Sequence, residues 1–285
     1  FNADEAGVPT HVGFQFWDGR VRGLEEQARA PIASRVEMAG DAYPAEVARD
    51  SVVARLRGIA EYVRLFAEAF PAEAQLLAGP DLISMDTYGR AVAAYERELV
   101  TRNSPFDRYA RGADDALTAE QKRGLELFFA DARCSSCHGG PMFSDFRFHV
   151  LGVPQEGGGK DVLPGDDTGR EEHTRDAADR YAFRTPSLRN VELTAPYMHD
   201  GVFATLEEVV RFYDRGALPR HPAVTDDRLD VLVRDPIGLA DQDVLAIAEF
   251  LRALTDPGTE LDPALLTVPG SVPSGLEPVF GLGTP

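Results

Sequence analysis

The chemistry of this 285-residue chain begins at Cys134, Cys137 and His138. They lie in the stretch DARCSSCHGGPM, which holds both cysteines of the chain, with a histidine directly after the second. A zinc site needs four ligands, and no second Cys-x-x-Cys or histidine pair stands at zinc spacing. A redox dithiol calls for a βαβ setting, which the flanking sequence lacks. Cys-x-x-Cys-His reads instead as a covalent c-type haem attachment. Cys134 and His138 are four apart, so on a helical turn they share a face. Both thiols can then form thioethers to one porphyrin edge while the imidazole turns to the iron.

An iron held by His138 has a second axial position, empty or filled. The candidates are Met142, Met198, Tyr213 and the remaining histidines. Met142 follows His138 too closely to reach over the ring. Met198 would give the Met/His pair usual in electron carriers, which raises the potential. Leu206, Val209, Val210 and Tyr213 follow i, i+3, i+4, i+7, so Tyr213 faces inward with an apolar stripe. The same period also fits an ordinary core tyrosine. His149, His173 and His221 stand in no pattern that assigns them a role.

The elements that must position these groups read as mostly helical. YPAEVARDSVVARLRGIAEYVRLFAEAF carries helical periodicity with a break expected at Gly58. SMDTYGRAVAAYERELVTRNSPF is a second helical stretch, closed by Pro105. LTAEQKRGLELFFADARCSSCH opens with Thr118 and Gln121 at capping-box spacing and carries the cysteines at its C-terminal end. Residues 139–190, rich in Gly, Pro and Asp, read as long loops around a haem edge. TLEEVVRFYDRG is capped by Thr205 with Glu208 and ended by Gly216. ADQDVLAIAEFLRALTD places Val244, Ile247, Ala248, Leu251 and Leu254 on one stripe. The tail, 256–285, has no period and is expected to lie over another surface.

A hydrophobic content of 44% is ordinary for a globular chain and can fill a core. The net charge of −18 argues against nucleic acid as a partner and permits a basic protein partner. No run of apolar residues is long enough to span a membrane. The chain opens on Phe1 with no leader, so a leader removed or a longer product is expected. Covalent haem of this kind implies export, and the periplasm is the expected compartment.

Several motifs together resemble a known family. FRTPSLRNVELTAPYMHDGVFATLEEVVRFYDRG and RGLELFFADARCSSCHGGPMFSDFRFHVLG resemble the C-terminal haem domain of the bacterial dihaem cytochrome c peroxidases. FQFWDGRVRGLEEQARAPIASRVEMAG resembles the part of their N-terminal domain that faces the other haem. The resemblance implies a mainly α fold of two cytochrome c-like haem domains packed face to face, with long loops and the first domain incomplete. Residues 1–112 would be the remainder of the N-terminal, peroxidatic domain. Residues 113–255 would be the C-terminal haem domain, and 256–285 a tail packing back on both. One haem c would be attached to this chain, and a second is expected on an N-terminal segment absent from it.

The resemblance also implies roles for particular residues. Fourteen positions after His199 of HDG, where the family usually carries a methionine ligand, stands Tyr213. Tyrosine there marks the MauG branch, with His138 and Tyr213 as the two iron ligands. Trp17 would lie between the haems and carry electron holes. Gln27, Pro31 and Glu37 match the distal pocket of that branch: Glu37 as acid/base on peroxide, Gln27 as hydrogen-bond donor, Pro31 narrowing the space. Backbone carbonyls of Thr194 and Pro196 match ligands of a calcium ion. Arg184 and Arg189, in FRTPSLRN, are candidates to pair with haem propionates. The implied activity is a MauG-like dihaem oxidoreductase, in which hydrogen peroxide drives a high-valent haem state that oxidises an external protein donor. Two alternatives stand beside it. One is an ordinary cytochrome c peroxidase fed by a small cytochrome or cupredoxin, and the other is a monohaem electron-transfer module.

Overall fold

The structure is a computed structural model. It describes residues 13–77, 79–159, 165–258 and 260–276, together with the strand backbone at 2–3 and 9–10. Within the tail expected over 256–285, Thr259 and residues 277–285 lie outside the described residues, as do 160–164 of the glycine-rich loop.

The chain divides into two compact units. The haem-motif unit comprises residues 1–23 and 101–260, and the second unit 24–100 and 261–285. This division differs from the 1–112, 113–255 and 256–285 expected from the sequence, and specific contacts explain it. The hairpin of Phe14–Gln15 and Val21–Arg22 joins residues far along the chain. Phe14 packs edge-on against Phe148 at 5.4 Å. The Arg184 amide donates to the Trp17 carbonyl at 2.7 Å. Arg189 pairs with Asp107, and the Phe106 amide donates to Ala253.

In the haem-motif unit, the helices Ala119–Phe129, Leu206–Asp214 and Asp241–Arg252 enclose one core. Thr118 and Gln121 cap the first reciprocally, as the spacing predicts, and Thr205 with Glu208 caps the second. Phe106, Phe128, Phe143 and Phe250 meet edge to face, with centroids 5.1 to 6.2 Å apart. Ala119–Phe129 and Asp241–Arg252 cross so closely that a Cβ on Gly124 would fall 1.9 Å from the Ala246 carbonyl oxygen.

The second unit holds Ala45–Arg57, Ala60–Ala69 and Met85–Glu98. The break between the first two falls at Gly58, as expected. The tail reaches this unit, where the Tyr95 hydroxyl donates to the Leu265 carbonyl at 2.8 Å.

Three local expectations are corrected. Pro105 does not close the second helical stretch. That helix stops at Glu98, and Pro105 opens the next helix, Pro105–Ala110, behind Ser104 as its cap; proline at a first helical position needs no amide partner. The cysteine motif does not continue Ala119–Phe129 but sits on a separate 3₁₀ turn, Cys134–Ser136, behind a left-handed Arg133. Residues 139–190 are not all loop, since Phe148–Val150 pairs antiparallel with Ala182–Arg184.

Candidate haem-binding site

The site is a cavity of about 470 Å³ inside the haem-motif unit, within the range of cofactor pockets. Its walls carry Cys134, Cys137, His138, Tyr213, Arg184 and Trp17 among mostly apolar neighbours such as Phe128, Leu206, Val210 and Leu251. Both cysteines are free thiols. Burial pushes the Cys134 thiol up to about 12, so it is a neutral thiol in its apolar setting.

The turn at Cys134 is closed by the His138 amide donating to the Cys134 carbonyl at 2.9 Å. That turn places both thiols and the imidazole at the same cavity wall. His138 Nδ1 lies 3.0 Å from the Phe143 carbonyl oxygen. A carbonyl only accepts, so Nδ1 carries the proton and Nε2 keeps its lone pair, the tautomer that suits a metal ligand. Burial lowers the His138 pKa and keeps the ring neutral.

Tyr213 reaches the cavity from Leu206–Asp214, alongside Val209 and Val210, as the i, i+3, i+4, i+7 spacing predicts. Burial, with a smaller effect of the nearby cysteine thiols, raises its pKa well above the usual tyrosine value. The phenolate therefore needs a neighbouring positive charge, which a ferric iron would supply.

The two arginines differ. Arg184 lines the cavity, donates through Nε to the Phe16 carbonyl at 3.3 Å, and has a buried Nη1 with no hydrogen-bond partner among the described residues. A buried guanidinium nitrogen without a partner is costly, and a haem propionate would satisfy it. Arg189 also reaches the wall, but its guanidinium is already engaged: two bonds to Asp107 at 2.9 and 3.0 Å and one to the Pro141 carbonyl at 2.8 Å. The expectation of a propionate partner therefore narrows to Arg184.

Trp17 lies at the cavity with half its surface exposed. Thr194 and Pro196 also line the wall, and the Thr194 hydroxyl donates to the Val191 carbonyl. Gln27, Pro31 and Glu37 belong to the second unit. Gln27 ends the short helix Gly23–Gln27, and its Oε1 is buried without a partner among the described residues. Pro31 is the second residue of the next, Ala30–Ala33, and Glu37 is exposed on the turn beyond it.

Sequence reasoning left His149 without a role, yet it lines the cavity between two carboxylates. Its Nδ1 meets Asp230 at 2.6 Å and its Nε2 meets Asp145 at 2.9 Å. Burial opposes its charge, but hydrogen bonds to Asp145, Cys137 and Asp230 outweigh that and push it up to about 11. Asp145 stands four residues before it, so half of this arrangement was visible as spacing. Asp230 is remote and was not.

Free thiols beside a metal-ready imidazole, an apolar cavity and an arginine with one buried nitrogen unpartnered among the described residues together fit a covalently held haem. The fold and site thus define a mainly α, c-type haem-binding protein. A family model described as di-haem cytochrome c peroxidase matches residues 2–115. The chain is 37% identical over 276 residues to the cytochrome-c peroxidase IdrP1 of Pseudomonas sp. (strain SCT), covering 88% of this chain and 67% of that one. It is 34% identical over 255 residues to the methylamine utilization protein MauG of Methylorubrum extorquens, covering 89% and 62%. A solved MauG-like protein associated with microbial copper homeostasis superposes with a TM-score of 0.69 at 32% identity, covering 90% of this chain and 74% of that one. The chain spans about two thirds of the length of the curated relatives it matches. It belongs to the dihaem cytochrome c peroxidase family, and a MauG-like structure is among its relatives.

Proposed function

We propose that this chain carries the C-terminal haem of a MauG-like dihaem oxidoreductase, which takes oxidising equivalents from hydrogen peroxide and draws electrons from an external, protein donor. The observation that carries this reading is the meeting of His138, Cys134, Cys137 and Tyr213 at one cavity. When bound, the haem supplies one-electron redox chemistry at an iron that a phenolate favours in its oxidised states. His138 binds through Nε2 while Phe143 holds its Nδ1 proton. Arg184 anchors a propionate, and the apolar wall excludes water. Trp17, at the cavity with half its surface exposed, would carry electron holes between the two haems.

In the second unit, Gln27 would orient peroxide, Pro31 would narrow its space and Glu37 would move a proton between its oxygens, at the second haem of a dihaem enzyme. The buried, unpartnered Gln27 Oε1 supports a polar ligand at that place. Carbonyls of Thr194 and Pro196 would hold calcium. Covalent haem attachment supports a periplasmic setting, and no helix among the described residues is long and apolar enough to cross a membrane.

Likeness to IdrP1 favours a second reading, in which a small cytochrome or cupredoxin feeds electrons to an ordinary peroxidase. A haem count by pyridine haemochrome with intact mass, followed by peroxide addition, decides among the readings. Two haems and a long-lived oxidised spectrum are expected. Two haems that return at once to the resting spectrum on adding a reduced small cytochrome would favour the ordinary peroxidase. One haem with no response to peroxide would favour an electron-transfer module.

A further inference from the structure

Tyr181 is a buried, oxidisable side chain that this reading leaves unused. It is 5% exposed and its backbone is left-handed, with φ of 63°. Bulky residues rarely occupy that region, and such outliers cluster at functional positions. The turn before it is pinned by Arg228, which donates to the carbonyls of Ala177 and Arg180 at 2.9 Å each. The Tyr181 amide donates to the Thr168 carbonyl at 2.8 Å.

The phenol has a built proton acceptor. Its hydroxyl donates to Asp166 Oδ2 at 3.2 Å. His221 Nε2 stands 3.5 Å from the same oxygen. His221 Nδ1 accepts from the Ala223 amide at 3.3 Å, which puts the ring proton on Nε2, facing Asp166. The His221 ring lies 4.9 Å from the Tyr181 ring, and the Arg180 guanidinium lies 5.1 Å from the same ring, with Nη2 donating to the Tyr181 hydroxyl oxygen at 3.5 Å. The Asp166 side chain is 45% exposed, so its carboxylate touches the buried phenol and water together.

The ring also has a route to the cavity. Tyr181 packs in one apolar cluster with Phe212, Met198 and Tyr213. Its backbone runs directly into Ala182–Arg184, whose Phe183 and Arg184 line the cavity.

We propose that Tyr181 is a redox-active relay between the haem cavity and the protein surface. Tyr181 gives one electron to the oxidised haem site, and its O–H bond breaks as the proton passes to Asp166. A neutral tyrosyl radical and a protonated Asp166 remain. An electron from the external donor then reduces the radical, and the proton returns from Asp166 to the phenolate oxygen. The oxidant is the peroxide-derived equivalent of the proposed function, on which this inference rests.

The test uses the haem-loaded protein with ring-deuterated tyrosine and electron paramagnetic resonance after rapid freezing. Two oxidants are compared: hydrogen peroxide, and a photogenerated ruthenium(III) polypyridyl complex that needs no peroxide chemistry. A tyrosyl signal is expected with both, lost in Tyr181→Phe, and formed on the order of a hundredfold more slowly in Asp166→Asn, since a placed proton acceptor is worth at least that much. Thermal melts establish that both variants fold. A signal with the photo-oxidant alone, where peroxide leaves the haem unoxidised, keeps Tyr181 and removes the peroxide reading. An unchanged signal in Tyr181→Phe, or haem oxidised by peroxide with no tyrosyl signal at all, overturns the relay.

Discussion

In the haem-motif unit, Asp241–Arg252 buries Val244, Ala246, Ile247, Ala248, Phe250 and Leu251 against neighbouring helices. In the second unit, Ala60–Ala69 is patterned as an amphipathic helix yet none of its residues is buried, and Leu65, Leu76 and Leu77 stand exposed. One buried cluster of that unit is Ile32, Ala39 and Ala48, and Leu82, Ile83 and Ala93 are buried apart from it. One unit therefore builds its core around the cavity from long helices, while in the other the described part of Ala60–Ala69 keeps its apolar side chains partly exposed. The 285 residues hold one Cys-x-x-Cys-His, and it lies in the unit with the complete core. Helical patterning is present in both units, so local patterning alone does not tell the haem-motif unit from the other.

Substitutions sharpen the contrast. The largest effect is all or none: Cys134→Ser with Cys137→Ser removes covalent haem, read as loss of haem stain on a denaturing gel. Next, Asp107→Asn removes the negative charge that offsets Arg189 in a setting where both side chains are nearly buried, at a cost of about 3–5 kcal/mol in urea denaturation. Burial opposes the Asp107 charge, but hydrogen bonds from Arg189 and Ser104 prevail and hold its pKa below the ordinary 3.8. Its contribution is therefore complete above that value and lost as pH falls through the lower folded value. The variant should show a shallower acid limb than wild type.

Ile247→Ala should cost about 2–5 kcal/mol, whereas Leu65→Ala in the second unit should cost under about 1 kcal/mol. Equal costs would remove the contrast. Glycines give the finest comparison. Gly124→Ala must push helices apart and should cost at least about 2 kcal/mol. Gly58→Ala meets only ordinary contacts in a right-handed conformation and should be neutral or stabilising by up to about 1 kcal/mol.

Local signals were legible in the sequence. The haem motif, the break at Gly58, the caps at Thr118 and Thr205, and the inward face of Tyr213 are all set by residues a few positions apart. What escaped was non-local. The pairing of Phe148–Val150 with Ala182–Arg184 joins short strands across a long loop, too brief for period-2 alternation to register. Arg189 and Arg184 look alike in FRTPSLRN, and partners remote in the chain, Asp107 above all, give them different surroundings. Gly124 reads as a defect in a helix until the facing Ala246 carbonyl is seen. Pro105 was misread because proline both ends and begins helices, and the deciding signal was Ser104 before it.

The ligand opposite His138 is tested most directly by the low-temperature ferric spectrum of the haem-loaded protein beside that of Tyr213→Phe. Phenolate charge-transfer and resonance Raman bands are expected in wild type and absent from the variant, with covalent haem retained in both. Identical spectra in the two proteins, or a wild-type spectrum of sulfur ligation, would contradict the assignment of Tyr213.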